Sequence, residues 1–549
     1  MSLEHKTNAF QLIDRIATRV TRGVLRFRWL VILAAVLGAV TIGSGAQNLE
    51  FASNYRVFFS DENPELVAFE DLQATYTKND NFVFVLEPSD NDAFSADALA
   101  AVESLTEEAW QIPFAIRVDS ISNFQHTYGV EDDLIVEDLF RDSFDMSADE
   151  RARRGDVALA EPLLENQLVT SDGAVTAVNV VLQYPEKSLT EVPEAVQFAR
   201  DLRQQIETAH PNIDVSLTGV SMLNNAFAET GVQDLGTLIP LMFGVILLLT
   251  LLILRSAVAT FATVGVILLS TMVGMGWAGF MGIKLTPISA SAPTIILTLA
   301  IADSIHILVA LRSAMRAGMD KSRAIVDAVR LNFLPVGVTS ITTIIGFLAL
   351  NFSDSPPFWH LGNITAVGIA GAWLFSITLL PALMSVLPYK VKPTTGDDRG
   401  EKAMARVAEF VIGKPRQILV TLGATTLVLM MFIPTINFND QWTQYFDERV
   451  EFRRDTDQAL QHLGMYPIEY SVPAQTSGGI SDPEYLANLE KFAAFLREQP
   501  EVVHVYSFSD IMKRLNKNLH GDDPGYYQTP NDRDEAAQYL LLYELSLPY

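Results

Sequence analysis

The stretch LEFASNYRVFFSDENPELVAFEDLQ (Leu49–Gln73) returns 387 residues later as INFNDQWTQYFDERVEFRRDTDQAL (Ile436–Leu460). Both open on an apolar–polar–Phe entry. Both then carry an aromatic (Tyr55, Trp442), an aromatic pair (Phe58–Phe59, Tyr445–Phe446) and a run of acids. Farther on, VDSIS (Val118–Ser122) matches VYSFS (Val505–Ser509) at the same offset. Each copy follows an apolar segment led by arginine, so one supersecondary program is written twice. On that offset Tyr549 falls midway through the first copy. The expectation is either a fragment of a longer protein or a chain that has lost its second half; a complete second copy would add five more spans.

Of the 549 residues, 49% are hydrophobic, and they fall in blocks rather than amphipathic stripes. Seven blocks reach the roughly 20 residues that a bilayer-crossing helix needs. They run near Trp29–Ala46, Leu235–Leu254, Ala257–Phe280, Thr286–Leu311, Leu331–Asn351, Leu361–Leu387 and Gln417–Pro434. The basic lead-in and GSGAQ ending of the first also fit a secretory signal peptide, a reading the repeat disfavours because the seventh span has the same lead-in.

Charge sets the expected topology. Gln47–Gln233 holds 35 acids against 10 bases, and Ile436–Tyr549 holds 19 against 9. Most remaining bases flank alternate span ends: Arg15, Arg19, Arg22, Arg26 and Arg28 before the first, Arg255 after the second, Arg312 to Arg330 after the fourth, and Lys390 to Arg416 before the seventh. The positive-inside rule then puts the N-terminus in the cytoplasm and both acidic regions outside. The expected segments are a cytoplasmic 1–28, span 29–46, outer domain 47–233, five-span bundle 234–390, linker 391–416, span 417–435 and a partial second outer domain 436–549. The net charge of −26 and the lack of a basic patch argue against nucleic acid. No cysteine is present, which excludes disulfides and thiolate metal sites.

The outer region reads strand–helix–strand twice. NFVFVLEP (Asn81–Pro88) is a strand, followed by a helix capped by Ser95 and a strand at Ala115–Ser122. After an acidic insertion predicted as helix (Asp133–Ala160) come strand Ala174–Pro185, helix Val192–Ala209 and strand Asp214–Ser221. The pattern predicts a ferredoxin-like α+β domain, or two half-domains. The second region repeats its start, with strands predicted at Ile468–Gln475 and Glu501–Phe508 around a helix at Pro483–Glu498.

One span, a ferredoxin-like outer domain, five spans and then a repetition resembles the resistance-nodulation-division (RND) superfamily. IADSIHI in the fourth span, TSITTIIGFLALNFSDSPPF (Thr339–Phe358) and FFSDENP (Phe58–Pro64) are similar to its hydrophobe/amphiphile exporter branch, which includes MMPL-type proteins and is akin to sterol-sensing domains. The fold expected is therefore a polytopic α-helical membrane protein with ferredoxin-like α+β periplasmic domains. The resemblance implies a proton-driven secondary transporter of a bacterial inner membrane, handling lipids or other hydrophobic compounds. It implies no cofactor besides the proton gradient, and a homo-oligomer or periplasmic partner is compatible with it.

LTLAIADSIHILVALR (Leu297–Arg312) sets Asp303 and His306 one helical turn apart inside an apolar span. Intramembrane acids are costly and usually functional. Desolvation disfavours the charged form of a carboxyl, so moving one between dry and wetted surroundings couples protonation to conformation. Asp303 is the expected proton carrier. His306 is either a sharer of that proton or a structural donor to a carbonyl. Ser304 is expected to bond back to the preceding turn, and Thr339, Thr342 and Thr343 of the next span are candidate partners. One Asp and one His are too few to hold a metal. Gly274, Gly276, Gly279 and Gly282 fit close helix packing, with a lipid groove as the alternative. Pro240, Pro335 and Pro381 are candidate kinks. No phosphate-binding loop argues for ATP. A second class of function stands beside transport: a lipid sensor or scaffold resembling the sterol-sensing relatives.

Overall fold

The computed structural model describes residues 3–546 except 53–54, 77–79, 131–132, 186, 189, 392–398, 437–440 and 465–467. Along the chain come α1 (Leu3–Arg26), α2 (Arg28–Gly43), α3 (Pro64–Thr75), β1 (Asn81–Pro88), α4 (Ala96–Ala109), β2 (Ala115–Asp119), β3 (Gln125–Val130), β4 (Asp133–Asp138), α5 (Ala148–Ala160), β5 (Thr176–Leu182), α6 (Glu191–Ala209) and β6 (Ile213–Thr218). Then follow α7 (Val220–Leu254), α8 (Ala257–Phe280), α9 (Ala292–Arg316), α10 (Lys321–Leu348), α11 (Pro356–Ile377), α12 (Leu379–Val386), α13 (Arg399–Gly413), α14 (Pro415–Met430), α15 (Glu451–His462), α16 (Pro483–Arg497), α17 (Phe508–Leu519) and α18 (Arg533–Ser546). They form two compact units, 1–63 with 228–440 and 64–227 with 441–549.

The first unit is a helical bundle, and the described residues contain seven helices long and apolar enough to span a membrane. Helices suit that setting because every internal N–H and C=O is bonded within its own segment. The tightest contact joins the end of α2 to α8. A methyl group added to Gly276 would land on the Ile42 carbonyl, one on Gly279 on the Gly45 carbonyl, and one on Gly45 on the Gly276 carbonyl. Missing Cβ atoms let the two backbones touch. The sixth span is broken at Thr378 between α11 and α12. Pro381 supplies no N–H for the Ile377 carbonyl, which accounts for the break there. Pro240 and Pro335 lie inside α7 and α10. Bases at one end of the bundle close helix C-termini: Arg312 donates to the carbonyls of Ile253 and Leu254, and Lys321 to those of Ser385 and Leu387.

The second unit holds a four-stranded antiparallel sheet in the order β2-β5-β1-β6. With the units β1–α4–β2 and β5–α6–β6, this is the ferredoxin-like topology. Ser95 caps α4 by accepting the Ala98 N–H. Residues 133–160 are only partly helical: β4 pairs with β3 as a hairpin, and α5 follows. The short run Leu134–Ile135–Val136, rich in β-branched side chains, suits a strand better than a helix.

The structure also corrects the reading of residues after the seventh span. Segments 468–475 and 502–507 are not strands, although α16 forms between them. In the complete sheet β5 lies between β1 and β2. Within the described residues no strand plays that part for the second region, so its two arms have no strand to pair with. Instead α15 docks on β6 of the first sheet. Glu451 accepts from Arg200 (2.6 Å) and Arg203 (2.9 Å), and Asp455 accepts from Arg203 (2.9 Å) and the Leu217 N–H. Thr456 meets Thr218 at 2.6 Å, while Phe446, Phe452 and Ala459 join the core beneath. Farther on, Asn518 of α17 donates to Thr127 of β3.

Asp455 is buried, and desolvation pushes its carboxyl above the usual aspartate range; the Leu217 N–H, then Arg203 and Arg454, pull the other way. A carboxyl whose folded-state pKa is raised favours the fold at low pH, and that contribution is lost as pH rises through the folded value. Asp455→Asn is therefore expected to flatten the decline in melting temperature above about pH 4. Arg203→Met, which leaves the buried acid with Arg454 and the Leu217 N–H, is expected to cost about 2 kcal/mol. Thermal melts of the purified protein from pH 4 to 8 check both.

Candidate functional site

α9 is nucleated after Ser291, with Pro293 in its first turn, where a missing N–H costs nothing. Its buried stripe runs through Ile296, Leu297, Ala300, Asp303, Ser304, Ile307, Leu308 and Leu311, the 3.6-residue period of a helix packed along one side. Asp303 thus sits on the packed face and is 6% exposed.

Its partner comes from α10. The Ser340 hydroxyl donates to Asp303 Oδ2 at 3.2 Å, and both side chains are buried. No cation pairs with Asp303 among the described residues. The contact therefore consists of a carboxyl and one neutral hydroxyl, which can donate to a carboxylate or accept from the protonated acid.

His306 points elsewhere. Three residues of helix amount to about 300° of rotation, so a neighbour at i+3 is turned some 60° away. That turn takes His306 off the packed stripe, and it is exposed. The structure brings Asp303 and His306 close along the helix without joining them by a hydrogen bond. Ser304 is fully buried, and its hydroxyl has no partner among the described residues, so the expected bond back to the preceding turn is absent. Thr339, Thr342 and Thr343 do not reach Asp303. Their hydroxyls donate to carbonyls of their own helix: Thr339 to Pro335 and Val336, Thr342 to Val338 and Thr339, Thr343 to Thr339.

The signal for Ser340 was present in the period of α10. Ala324, Ile325, Ala328, Val329, Val336, Gly337 and Ser340 make its buried stripe, and the threonines fall beside it. Counting hydroxyls picks out the threonines; counting turns picks out the serine.

The four glycines divide by role. Gly276 and Gly279 carry the contact with α2, and Gly274 faces Ile296 and Gly368 at close range. Gly282 has φ +67° with nothing within 4 Å of a built Cβ, so it closes the end of α8. At the other end of α10, Ser355 of the DSPP turn donates to the Phe58 carbonyl at 2.6 Å, which joins two of the motifs picked out in the sequence. Among the described residues no group of three or more His, Asp or Glu comes together to hold a metal ion.

A family model described as the MMPL family matches residues 59–418. The membrane protein MJ1562 of Methanocaldococcus jannaschii is 23% identical over 380 residues, covering 66% of this chain and 92% of that protein. The siderophore exporter MmpL5 of Mycobacterium tuberculosis is 25% identical over 295 residues, 51% of this chain and 30% of the exporter. The mycolic acid-containing lipids exporter MmpL11 of Mycolicibacterium smegmatis is 22% identical over 333 residues, 57% and 35% respectively. The match thus spans nearly all of the archaeal protein and about a third of each mycobacterial exporter.

Removing the one hydroxyl on Asp303 is expected to register where removing a neighbouring threonine does not. Ser340→Ala should lower stability by about 1–2 kcal/mol, the usual cost of leaving a buried polar group short of a partner. Thr342→Val should leave the melting temperature within error, and paired melts in one detergent check the difference.

Proposed function

Because the chain belongs to the MMPL family, we propose that this multi-pass membrane protein is a secondary transporter that exports lipids or other amphiphiles from a bacterial inner membrane, driven by the proton gradient. The observation that carries the proposal is Asp303. A carboxyl buried in the middle of a span, held by one neutral hydroxyl and no described cation, is stable there only while its charge is absent or offset.

Proton uptake would leave Asp303 neutral and α9 dry against α10. Proton release would favour a rearrangement that admits water to the carboxylate. Ser340 suits both states, since a hydroxyl donates to one and accepts from the other. Pro335, five residues before it, leaves the Leu331 carbonyl without its helical N–H, a place where α10 could bend on the way to the contact. His306, exposed one turn along, would shuttle protons towards Asp303 rather than hold them. The acidic α+β unit would lie in the periplasm, following the charge distribution of the sequence. Amphiphilic cargo is supported by the relatives named as exporters of siderophores and of mycolic acid-containing lipids.

The test is gradient-driven movement of a fluorescent lipid in proteoliposomes. The native protein is expected to move it only with an imposed pH gradient. Asp303→Asn should abolish that movement without lowering the melting temperature, and His306→Gln should slow it less than tenfold. Undiminished transport by Asp303→Asn would overturn the assignment. Lipid binding by the native protein with no gradient-driven movement would favour the sensor reading instead.

A further inference from the structure

α1 has three distinct faces. Ala17, Thr21 and Val24 are buried against the bundle. Leu12, Ile16 and Val20, spaced four apart, form an exposed apolar flank beside them. Arg15, Arg19, Arg22 and Arg26, spaced four, three and four apart, make a third, exposed stripe. Among the described residues no carboxylate pairs with Arg15, Arg19 or Arg22, and Arg26 lies over the Phe27 ring.

The midpoint and the C-terminal end of this helix each stand beside the start of an apolar run. Its C-terminal end runs into Arg28, where the apolar run of α2 begins. At its midpoint, Asp14 pairs at 2.9 Å with Arg330, directly before Leu331 and the apolar run of α10. The helix between Asp14 and Arg28 is about 20 Å long at roughly 1.5 Å per residue. A helix that continued the direction of α2 out of the bilayer would carry Asp14 that far from Arg330's level. The ion pair therefore lays the C-terminal half of α1, from Asp14 to Arg26, along the boundary between the apolar bundle and its basic end.

Part of this arrangement recurs before the seventh span, with two of the four basic positions kept and Glu409 and Gly413 standing at those of Arg22 and Arg26. At the 387-residue offset α13 and α14 break at the same point as α1 and α2, and Glu401–Lys402 and Arg406–Val407 stand where Asp14–Arg15 and Arg19–Val20 do. An apolar flank next to a cationic stripe on a helix lying in the boundary plane is the physical form of an interfacial lipid-binding helix.

We propose that α1 binds anionic phospholipids of the leaflet at the basic end of the bundle: Leu12, Ile16 and Val20 enter the acyl boundary, and Arg15, Arg19, Arg22 and Arg26 hold the headgroups. Charge complementarity selects the occupant, because four arginines with one described ring contact and no described acid match phosphate rather than a zwitterionic or apolar partner. A lipid clamp here would fix the rotation of α1, and through Asp14–Arg330 the entry of α10, the helix that carries Ser340.

The chain has no cysteine, so single-site labelling needs no background removal. Nitroxide labels at Ile16→Cys and, as the control, Gln11→Cys are read in vesicles of phosphatidylcholine with one quarter phosphatidylglycerol. The label at 16 is expected to be shielded from a water-soluble nickel chelate and reached by oxygen, and the label at 11 the reverse. Native mass spectrometry of the full protein from an equimolar mixture of the two lipids is expected to retain phosphatidylglycerol preferentially. Arg15→Gln/Arg19→Gln/Arg22→Gln should reduce that preference at least tenfold, while the triple Lys variant of equal fold keeps it. Equal chelate access at 16 and 11 in vesicles, or undiminished preference in the Gln variant, overturns the proposal. Neither readout involves transport, so the result is independent of the role of Asp303.

Discussion

The backbone contact between α2 and α8 is the constraint on which the membrane unit is built. Gly43 and Gly45 on one side and Gly276 and Gly279 on the other let carbonyls and Cα atoms meet without side chains between them. In a setting where lipid tails are as apolar as leucine, close packing of this kind holds helices together. With α2 fixed on one side of α8, the other side of α8 is free to pack on α9 and α11, where Gly274 admits Ile296 and Gly368. The stripe of α9 that turns inward then includes Asp303. The position of the acid is thus tied to packing on the far side of the neighbouring helix.

In the α+β unit the comparable constraint is strand order. Because β5 lies between β1 and β2, a strand–helix–strand arm is not a sheet by itself. The second region has the arm, with α16 where α4 stands in the first, and its two flanks stay unpaired. Its first helix, α15, is nonetheless fully used, held to the first sheet by two arginines, two buried threonines and the aromatic cluster around Phe446. Equivalent sequences therefore have unequal structural fates: α3 and α15 start at the same repeat position, and only α15 packs on β6.

Much of the site was legible in the sequence. An acid in an apolar span is conspicuous, and Asp303 is where the helical period puts it. Its hydroxyl partner was not picked out, because three threonines surround one serine in a run where composition favours the threonines. The threonine hydroxyls are satisfied by carbonyls of their own helix, the ordinary fate of a β-branched hydroxyl in an apolar span. The pairing of Asp303 with His306 looked natural at one turn's spacing. A 60° difference in direction separates a packed side chain from an exposed one.

The amino-acid sequence by itself determined the seven spans, the repeat and its 387-residue offset, the ferredoxin-like order of elements and the family. Each of these is local or periodic: block hydropathy, two- and 3.6-residue alternation, and copied motifs need no knowledge of neighbours. The tertiary structure alone decided which hydroxyl meets Asp303, that residues 441–549 complete the first α+β unit, and that the second pair of predicted strands does not form. Those outcomes depend on what lies across a groove or beside a strand. A hydrogen bond or a sheet edge is satisfied by a partner in space, and no single segment carries that partner in its own sequence.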